Sequence, residues 1–292
     1  MGIILSEAKD IEKLALFLEE MNNNSETHIG YCGKLKSEIY HTLVHHFSDL
    51  DISKYFTVAY ENDEIIGAIG FDIDVENQSA EVWGPFIRNK SQYSGLADAL
   101  WDKVIALSNN KIHEFSFFIN KENTFAQQFA IKKKAVYKGN HLVLKAVHSH
   151  LGNVDLHQIK PFNTKYRDSF TTLHETAFPN TYYTASEIIQ RLSEYNQLLV
   201  MTDKDEMIIG YVYVEAKPEH KEGTIEYIAV SSEHQKQGIG TKLIQAALAH
   251  LFSFSEMEEI ILSVAKDNDK AIHLYKASGF HEMHELIYYL HS

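Results

Sequence analysis

The sequence is short of cysteine, of basic residues and of long hydrophobic runs, and each shortage excludes a class of protein. The single cysteine, Cys32, cannot build a disulfide framework, which excludes a disulfide-stapled secreted domain. There are 27 Lys and Arg against 40 Asp and Glu, so the formal net charge is −13. That charge disfavours a nucleic-acid partner and attracts cationic ligands.

No apolar run is long enough to span a bilayer and no secretory signal is recognisable, so we expect no membrane partner and a cytoplasmic location. The 17 histidines have no carboxylates or cysteines at ligand spacing, so we expect no metal. A length of 292 residues predicts two domains that each bury a core. Nothing in the sequence predicts an oligomeric state.

A third glycine is also missing from the most distinctive stretch, "EYIAVSSEHQKQGIGTKLIQAALAHLF", residues 226 to 252. Leu243 stands where the dinucleotide-binding pattern G-x-G-x-x-G needs its last glycine, which excludes that fingerprint. What is present is an apolar strand, a turn with Gly238 and Gly240, and a helix with one apolar face. Such a turn either serves the backbone alone or places free helix amides where an anion binds.

A second motif follows at suitable separation, in "EIILSVAKDNDKAIHLYKASGF". This stretch predicts a strand from Glu259 to Ala265 and then a short helix with polar caps. Asn268, Ala271 and Tyr275 are spaced so that they share one face of that helix. Together, Q-x-x-G-x-G and N-x-x-A-x-x-x-Y resemble the two principal motifs of the Gcn5-related N-acetyltransferase (GNAT) family.

The resemblance implies an α/β (α+β) fold with a mixed, splayed, mostly antiparallel sheet flanked by helices. It also implies acetyl-CoA as the co-substrate, bound where two strands part, with the pyrophosphate on the amides of the turn. By this resemblance the cofactor-binding residues are Ile228, Val230, Gln235, Gln237, Gly238, Ile239, Gly240, Thr241 and Asn268. Asn268 either contacts the cofactor or orders its own helix.

The family's chemistry is direct attack of an amine on the thioester, which implies catalytic residues. Tyr275 occupies the position of the general acid that protonates the departing thiolate. Many relatives have a glutamate where this chain has Thr224, and here Glu226 is the candidate base, the alternative being a solvated strand carboxylate. Tyr182, Tyr183 and Glu187 follow the first predicted helix and are candidate substrate-binding residues, or the tyrosines pack on the sheet. Tyr288 or Tyr289 in the late strand "HELIYYL" is expected to face the same pocket.

The N-terminal half resembles a worn copy of the same unit. An offset of 143 residues aligns Gly67 with Gly210, Ile87 with Val230 and Gly95 with Gly238. At the offset of 143, Pro85 matches Ile228, and proline removes a strand N–H. In the second motif the spacing from Asn123 matches that from Asn268, and there Ala130 stands where the second copy has Tyr275, so catalysis is assigned to the second copy. The predicted domains are therefore 1–147, a degenerate copy, and 148–292, the catalytic copy.

The predicted function is transfer of an acetyl group to a primary amine of a small molecule. Acetylation of a protein or peptide amine is one alternative. A non-catalytic acyl-CoA-binding sensor is the other, although such a protein has no need of a phenol beside the thiolate.

Overall fold

The computed structural model describes residues 2–48, 55–108, 112–150, 157–179 and 181–292. The chain packs into two compact units: Met1–His141 with His284–Ser292 form one, and Leu142–Met283 form the other. We call them the N-terminal and C-terminal units. The domains predicted from the sequence, 1–147 and 148–292, follow the two sequence repeats. The two units described here instead group the residues that pack together.

Each unit alternates strands with a few helices. In the N-terminal half these are β1 (Ile4–Ser6), α1 (Ile11–Asn22), α2 (Lys36–His45), β2 (Phe56–Glu61), β3 (Glu64–Asp74), β4 (Ser79–Ile87), α3 (Leu96–Ser108), β5 (Glu114–Asn120), α4 (Thr124–Lys132) and β6 (Val136–Val147). The other half contains β7 (Ile159–Pro161), α5 (Arg167–Ala177), α6 (Ala185–Arg191), β8 (Asn196–Thr202), β9 (Ile208–Lys217), β10 (Glu222–Val230), α7 (Ile239–Leu251), β11 (Glu259–Ala265), α8 (Asp269–Ala277) and β12 (His281–His291).

In the C-terminal unit, an antiparallel sheet has the strand order β10-β9-β8-β7. Side chains alternate across it, so Tyr211 and Tyr213 of β9 pack with α5 and α6, while Val212 and Val214 pack with α7. The predicted apolar face of α7 is buried in that second core: Leu243, Ile244, Ala247, Leu248 and Leu251. β10 is therefore the edge strand of a sheet that is covered on both faces.

The two halves repeat the same strand register. Gly67 lies opposite Ile87 in the pairing of β3 with β4, and Gly210 lies opposite Val230 in the pairing of β9 with β10. Both pairs conform to the offset of 143 that the sequence predicts. The alignment therefore has no slip at Ile87, but the register of β3 with β4 shifts between Ala68 and Gly70. Pro85 lies at that irregularity, whereas Ile228 pairs regularly with Val212.

A strand is exchanged in each direction between the two repeats. Residues 142–147 of β6 belong to the C-terminal unit, beside β11, where Leu144 is fully buried. Residues 284–291 of β12 belong to the N-terminal unit, where Leu286 to His291 pair with β5. Tyr288 and Tyr289 therefore belong to the N-terminal unit, whereas the sequence analysis expected one of them to face the acceptor pocket of the second copy. Alternation within a strand gives the face of a side chain but not the sheet that the strand joins.

Candidate functional site

Strand β10 carries a β-bulge at the candidate base. Ile225 lies opposite Val214 and Tyr227 opposite Tyr213, so Glu226 is the extra residue with no partner on β9. Its side chain is exposed. Because the bulge takes up one residue, Ile225 packs with α7 while Tyr227 packs with α5 and α6. The strand therefore presents a carboxylate at an irregular point of its edge.

Beyond the bulge, β10 has one paired edge and one edge without a strand partner. Ile228 and Val230 pair with Val212 and Gly210 of β9. The next strand in sequence, β11, is not a member of this sheet. In the described part of the C-terminal unit, β10 therefore ends its sheet with main-chain groups that no further strand binds.

The turn after β10 leads into a helix N-terminus without a side-chain cap. Gly238 is the N-cap of α7 with φ of +78°, and no side chain accepts a hydrogen bond from the first turn. The first helical bond runs from the Lys242 N–H to the Gly238 carbonyl. The amides of Ile239, Gly240 and Thr241 therefore lie at the positive end of the helix dipole without helical partners.

The space in front of this helix end is open. A Cβ built on Gly238 meets nothing within 4 Å. Gln235 and Gln237 turn their side-chain amides back to the carbonyls of Val230 and Glu233, at 3.3 and 3.4 Å, and so shape the turn. An anion can approach the amides without meeting a side chain at Gly238.

Helix α8 packs against the start of α7 because Gly240 has no side chain. A Cβ on Gly240 would lie 3.1 Å from Leu274 Cδ1. Asn268 caps α8, since its Oδ1 accepts the Ala271 N–H at 3.1 Å, which is the helix-ordering role. Tyr275 lies half-buried with its ring 5.6 Å from that of Phe280, and burial raises the pKa of its phenol. The phenol therefore keeps its proton at neutral pH.

The candidate substrate residues lie at the start of α6. The side chain of Tyr182 is 85% exposed, while the Tyr183 ring lies 4.3 Å from the Arg191 guanidinium. Glu187 forms a capping box with Thr184, in which its Oε2 accepts the Thr184 N–H at 2.7 Å. The carboxylate of Glu187 thus starts α6, in addition to any contact with substrate.

The sequence analysis missed three polar residues that lie beneath the loop before α6, namely Tyr227, His174 and Tyr211. All three are buried, and the first two bond to the loop itself. Strand alternation could have placed the tyrosines on the inner face, because Tyr211 and Tyr227 lie in predicted strands. Their partners come from elsewhere in the chain, and no local pattern indicates them.

In the N-terminal unit, a segment of the chain occupies the corresponding gap between strands. β4 pairs with β5 only as far as Glu81 opposite Ser116. Beyond that point Ile29 bridges Ile119, with the Gly30 N–H 2.6 Å from the Phe118 carbonyl. β12 already covers the other edge of β5. The segment 28–30 therefore lies on the edge that β4 leaves.

Two asparagines hold this segment in place. Asn22 donates to the Cys32 carbonyl at 2.6 Å and accepts the Ile29 N–H at 2.8 Å. Asn123 caps α4 and also donates to the His28 carbonyl at 3.3 Å. Both asparagines are buried. Because these hydrogen bonds are buried, they hold residues 28–30 firmly against β5. In the other copy, as far as the structure describes it, the corresponding edge, that of β10, has no strand partner.

A buried histidine of the same segment predicts that the N-terminal unit is sensitive to acid. His28 and His284 lie with ring centroids 4.6 Å apart, and burial lowers their pKa values to about 3 and about 4. Unfolding restores the pKa of each to about 6.5, so stability is complete above that pH and is lost as pH falls towards the folded values. We expect a loss of a few kcal/mol near pH 4, measured by chemical denaturation.

Replacing His284 by Phe should reduce the loss of stability between pH 6.5 and pH 4 without abolishing it, because His28 remains buried, and should leave the protein folded at pH 7.5. His273, which is exposed on α8, offers a matched control: His273→Phe should keep the full loss. Equal losses in the wild type and His284→Phe would contradict the prediction.

The N-terminal unit also has a helix start with a positive-φ glycine. Gly95 has φ of +81° and precedes α3, as Gly238 precedes α7. Gly95 lines an open cavity of about 380 Å³. The residues that precede the turn, including Arg88 and Lys90, line another of about 660 Å³. These cations are already paired, Arg88 with Glu20 at 2.8 Å and Lys90 with the Glu26 carbonyl at 2.9 Å. The N-terminal unit therefore keeps the geometry of the turn, but Arg88 and Lys90 already bind other groups of the same chain.

Comparison with known proteins agrees with this geometry. The acetyltransferase (GNAT) family matches residues 165–280 and the acetyltransferase (GNAT) domain matches residues 34–130, together well over half of the chain. The N-alpha-acetyltransferase of Sulfurisphaera tokodaii is 29% identical over 132 residues, which are 42% of this chain and 78% of that protein. The spermidine N(1)-acetyltransferase of Vibrio cholerae is 35% identical over 89 residues, 30% of this chain and 51% of that protein.

Solved structures share the fold over the whole chain. A GCN5-related N-acetyltransferase from Sphaerobacter thermophilus has a TM-score of 0.73 at 15% identity, covering 99% of this chain and 95% of the other. A tandem GNAT protein from the clavulanic acid biosynthesis pathway has a TM-score of 0.66 at 14% identity, covering 99% and 98%.

These matches show that the protein is an N-acetyltransferase. The chain belongs to the GNAT acetyltransferase family and carries two of its domains in tandem. The predicted family, tandem arrangement and fold class are thereby confirmed. Among the described residues, no group of His, Cys, Asp and Glu is arranged to hold a metal ion. Within the same residues, no helix is both long and apolar enough to cross a bilayer.

Proposed function

We propose that the protein transfers an acetyl group from acetyl-CoA to a primary amine of a small molecule, and that the C-terminal unit performs this reaction. The observation that carries the proposal is the unpaired edge of β10 followed by the open, uncapped start of α7. A strand edge suits the amide-bearing pantetheine arm, and the helix amides suit a pyrophosphate. The cytoplasmic location predicted from the sequence remains part of the proposal.

Main-chain groups of Ile228 and Val230 would hold the pantetheine arm, and the amides from Gln237 to Thr241 would hold the pyrophosphate. Glu226 would take the proton that the attacking ammonium must lose, directly or through water. The neutral amine would then attack the thioester carbon, and the carbon–sulfur bond would break as Tyr275 gives its proton to the departing thiolate. The acylated nitrogen would lose its second proton, which would restore the Tyr275 phenol directly or through water. Its raised pKa keeps that proton in place until the thiolate forms.

In this proposal the amine enters between the loop before α6 and the bulge of β10. Tyr182 and Tyr183 would line the entrance with aromatic rings, which attract cations. Glu226 and the negative charge of the whole chain, −13, add to that attraction. A cationic small molecule, such as a polyamine, fits this chemistry.

Acetylation of a peptide amino terminus is the second candidate, favoured by the relatives named as N-alpha-acetyltransferases. A peptide needs a longer groove than a small amine, so the two candidates differ in how the rate depends on acceptor length. Rates that rise with each added residue of a peptide acceptor would favour this second candidate.

The test combines calorimetric titration of acetyl-CoA with a thiol-release assay. We expect one acetyl-CoA per chain, because residues 28–30 lie in the gap of the N-terminal unit. Spermidine, an amino sugar and short peptides with free amino termini serve as acceptors. Release of CoA thiol in the presence of a small amine supports the proposal. If acetyl-CoA binds but no acceptor causes thiol release, the protein would instead be an acyl-CoA sensor. Two equivalent sites would contradict the assignment of a closed gap.

A further inference from the structure

We propose that Tyr227 and His174 are positioning residues that clamp the loop before α6 onto the strand carrying Glu226, and so determine the affinity for the amine. We call residues 181–184 the acceptor loop. The inference rests on the proposed function, because it concerns the acceptor side of that same site.

The hydroxyl of Tyr227 binds the acceptor loop twice. It accepts hydrogen bonds from Thr181 Oγ1 at 2.7 Å and from the Tyr183 N–H at 3.0 Å. Tyr227 is 8% exposed and its ring lies 5.1 Å from that of Phe178, so the hydroxyl is held by packing. Both lone pairs of one buried oxygen are therefore used to hold the loop.

His174 of α5 binds the other side of the same residue. Its Nε2 lies 2.9 Å from the Tyr183 carbonyl oxygen, which can only accept, so Nε2 carries the proton. In the neutral ring Nδ1 is then the acceptor, and the Tyr211 hydroxyl donates to it at 2.5 Å. His174 is only 1% exposed. The N–H and the carbonyl of Tyr183 are thus both bound by buried side chains from different elements.

This clamp connects the acceptor loop to the candidate base. Tyr227 directly follows Glu226, the extra residue of the bulge, so it fixes the strand where the carboxylate emerges. The Tyr183 ring is held as well, because it lies against Arg191, which is bound by Glu215 through two hydrogen bonds. A loop held at its main chain and at one ring presents Tyr182 in a defined place. Preorganisation of this kind lowers the entropic cost of binding an acceptor.

Tyr227→Phe removes the hydroxyl and keeps the ring. We expect the KM for the amine to rise about tenfold, because two hydrogen bonds to the loop are lost. The kcat at saturating amine should stay within about twofold, because the ring still packs on Phe178 and keeps β10 in place at Glu226. The Kd of acetyl-CoA should also stay within about twofold, because the lost bonds are to the acceptor loop only. Thr181→Val should raise the KM about threefold, since it removes one of those bonds. The double variant should be no worse than Tyr227→Phe alone.

Tyr166→Phe is the matched control, because Tyr166 is a buried tyrosine of the same core with no bond to the acceptor loop. It should leave the KM for the amine unchanged. An unchanged KM in Tyr227→Phe, or an equal loss in kcat and in acetyl-CoA binding, would overturn the inference.

A second measurement needs no activity. Exchange of the Tyr183 amide hydrogen should become at least about tenfold faster in Tyr227→Phe, because its acceptor is gone. Unchanged protection would overturn the clamp whatever the kinetics show. A wild-type protein that binds acetyl-CoA and transfers to no amine would overturn the proposed function instead, so the two failures are distinguishable.

Discussion

Gly238→Glu should weaken acetyl-CoA binding by on the order of a hundredfold or more. Gly238 has φ of +78°, which a glutamate adopts only with strain. A side chain there extends into the open space in front of the α7 amides, where the proposal puts the pyrophosphate. Its negative charge also repels that group. Calorimetric titration of acetyl-CoA measures the loss.

Gly95→Glu is the control that the chain itself provides. Gly95 has φ of +81°, precedes a helix, and also has nothing within 4 Å of a built Cβ. The backbone strain and added charge are therefore matched, but the change lies in the N-terminal unit. We expect acetyl-CoA affinity to be unchanged. Loss of binding in Gly95→Glu alone would move the cofactor to the N-terminal unit.

Tyr275→Phe should lower kcat about a hundredfold, the lower end of the usual contribution of a general acid. The ring keeps its contact with Phe280, so the Kd of acetyl-CoA should not change. Because burial raises the pKa of this phenol, its proton is still present in mildly alkaline solution. The wild-type rate should consequently not fall in mildly alkaline solution through ionisation of this group. Initial rates of thiol release against pH measure both effects.

Tyr288→Phe provides the comparison for this variant. Tyr288 also has a pKa raised by burial, but it belongs to the N-terminal unit. Its replacement should leave kcat unchanged. If Tyr275→Phe kept the wild-type rate across the whole pH range, the general acid would have to be another group or water.

The sequence predicts what its local patterns encode. The spacing of the apolar residues in α7 predicts which face of that helix is buried. The position of Asn268 directly before a predicted helix likewise predicts that it caps the helix. The offset of 143 correctly aligned Gly67 with Gly210, because the two glycines lie opposite Ile87 and Val230, which the same offset relates. The predicted helices and strands around the turn at Gly238 accordingly agree with the structure.

What the sequence does not predict depends on distant partners. The bulge at Glu226 arises where β9 and β10 fit together, and a run of alternating residues gives no sign of it. The clamp on Tyr183 joins residues from a helix, a strand and a loop. Likewise, Ile29 could be assigned to the edge of β5 only after the register of β12 was known. Edges and gaps belong to the assembled sheet and not to any one segment.

The exchange of strands also bears on how the protein is made. The N-terminal unit needs residues 284–291, so it stays incomplete on the ribosome until the C-terminal unit has been translated. At ordinary rates of synthesis this delay lasts on the order of ten seconds. Throughout it, one edge of β5 has no strand partner, and such an edge invites pairing with other chains. The nascent chain should therefore depend on chaperones more than two independently folding domains would, and cutting the gene between its repeats should yield two insoluble halves.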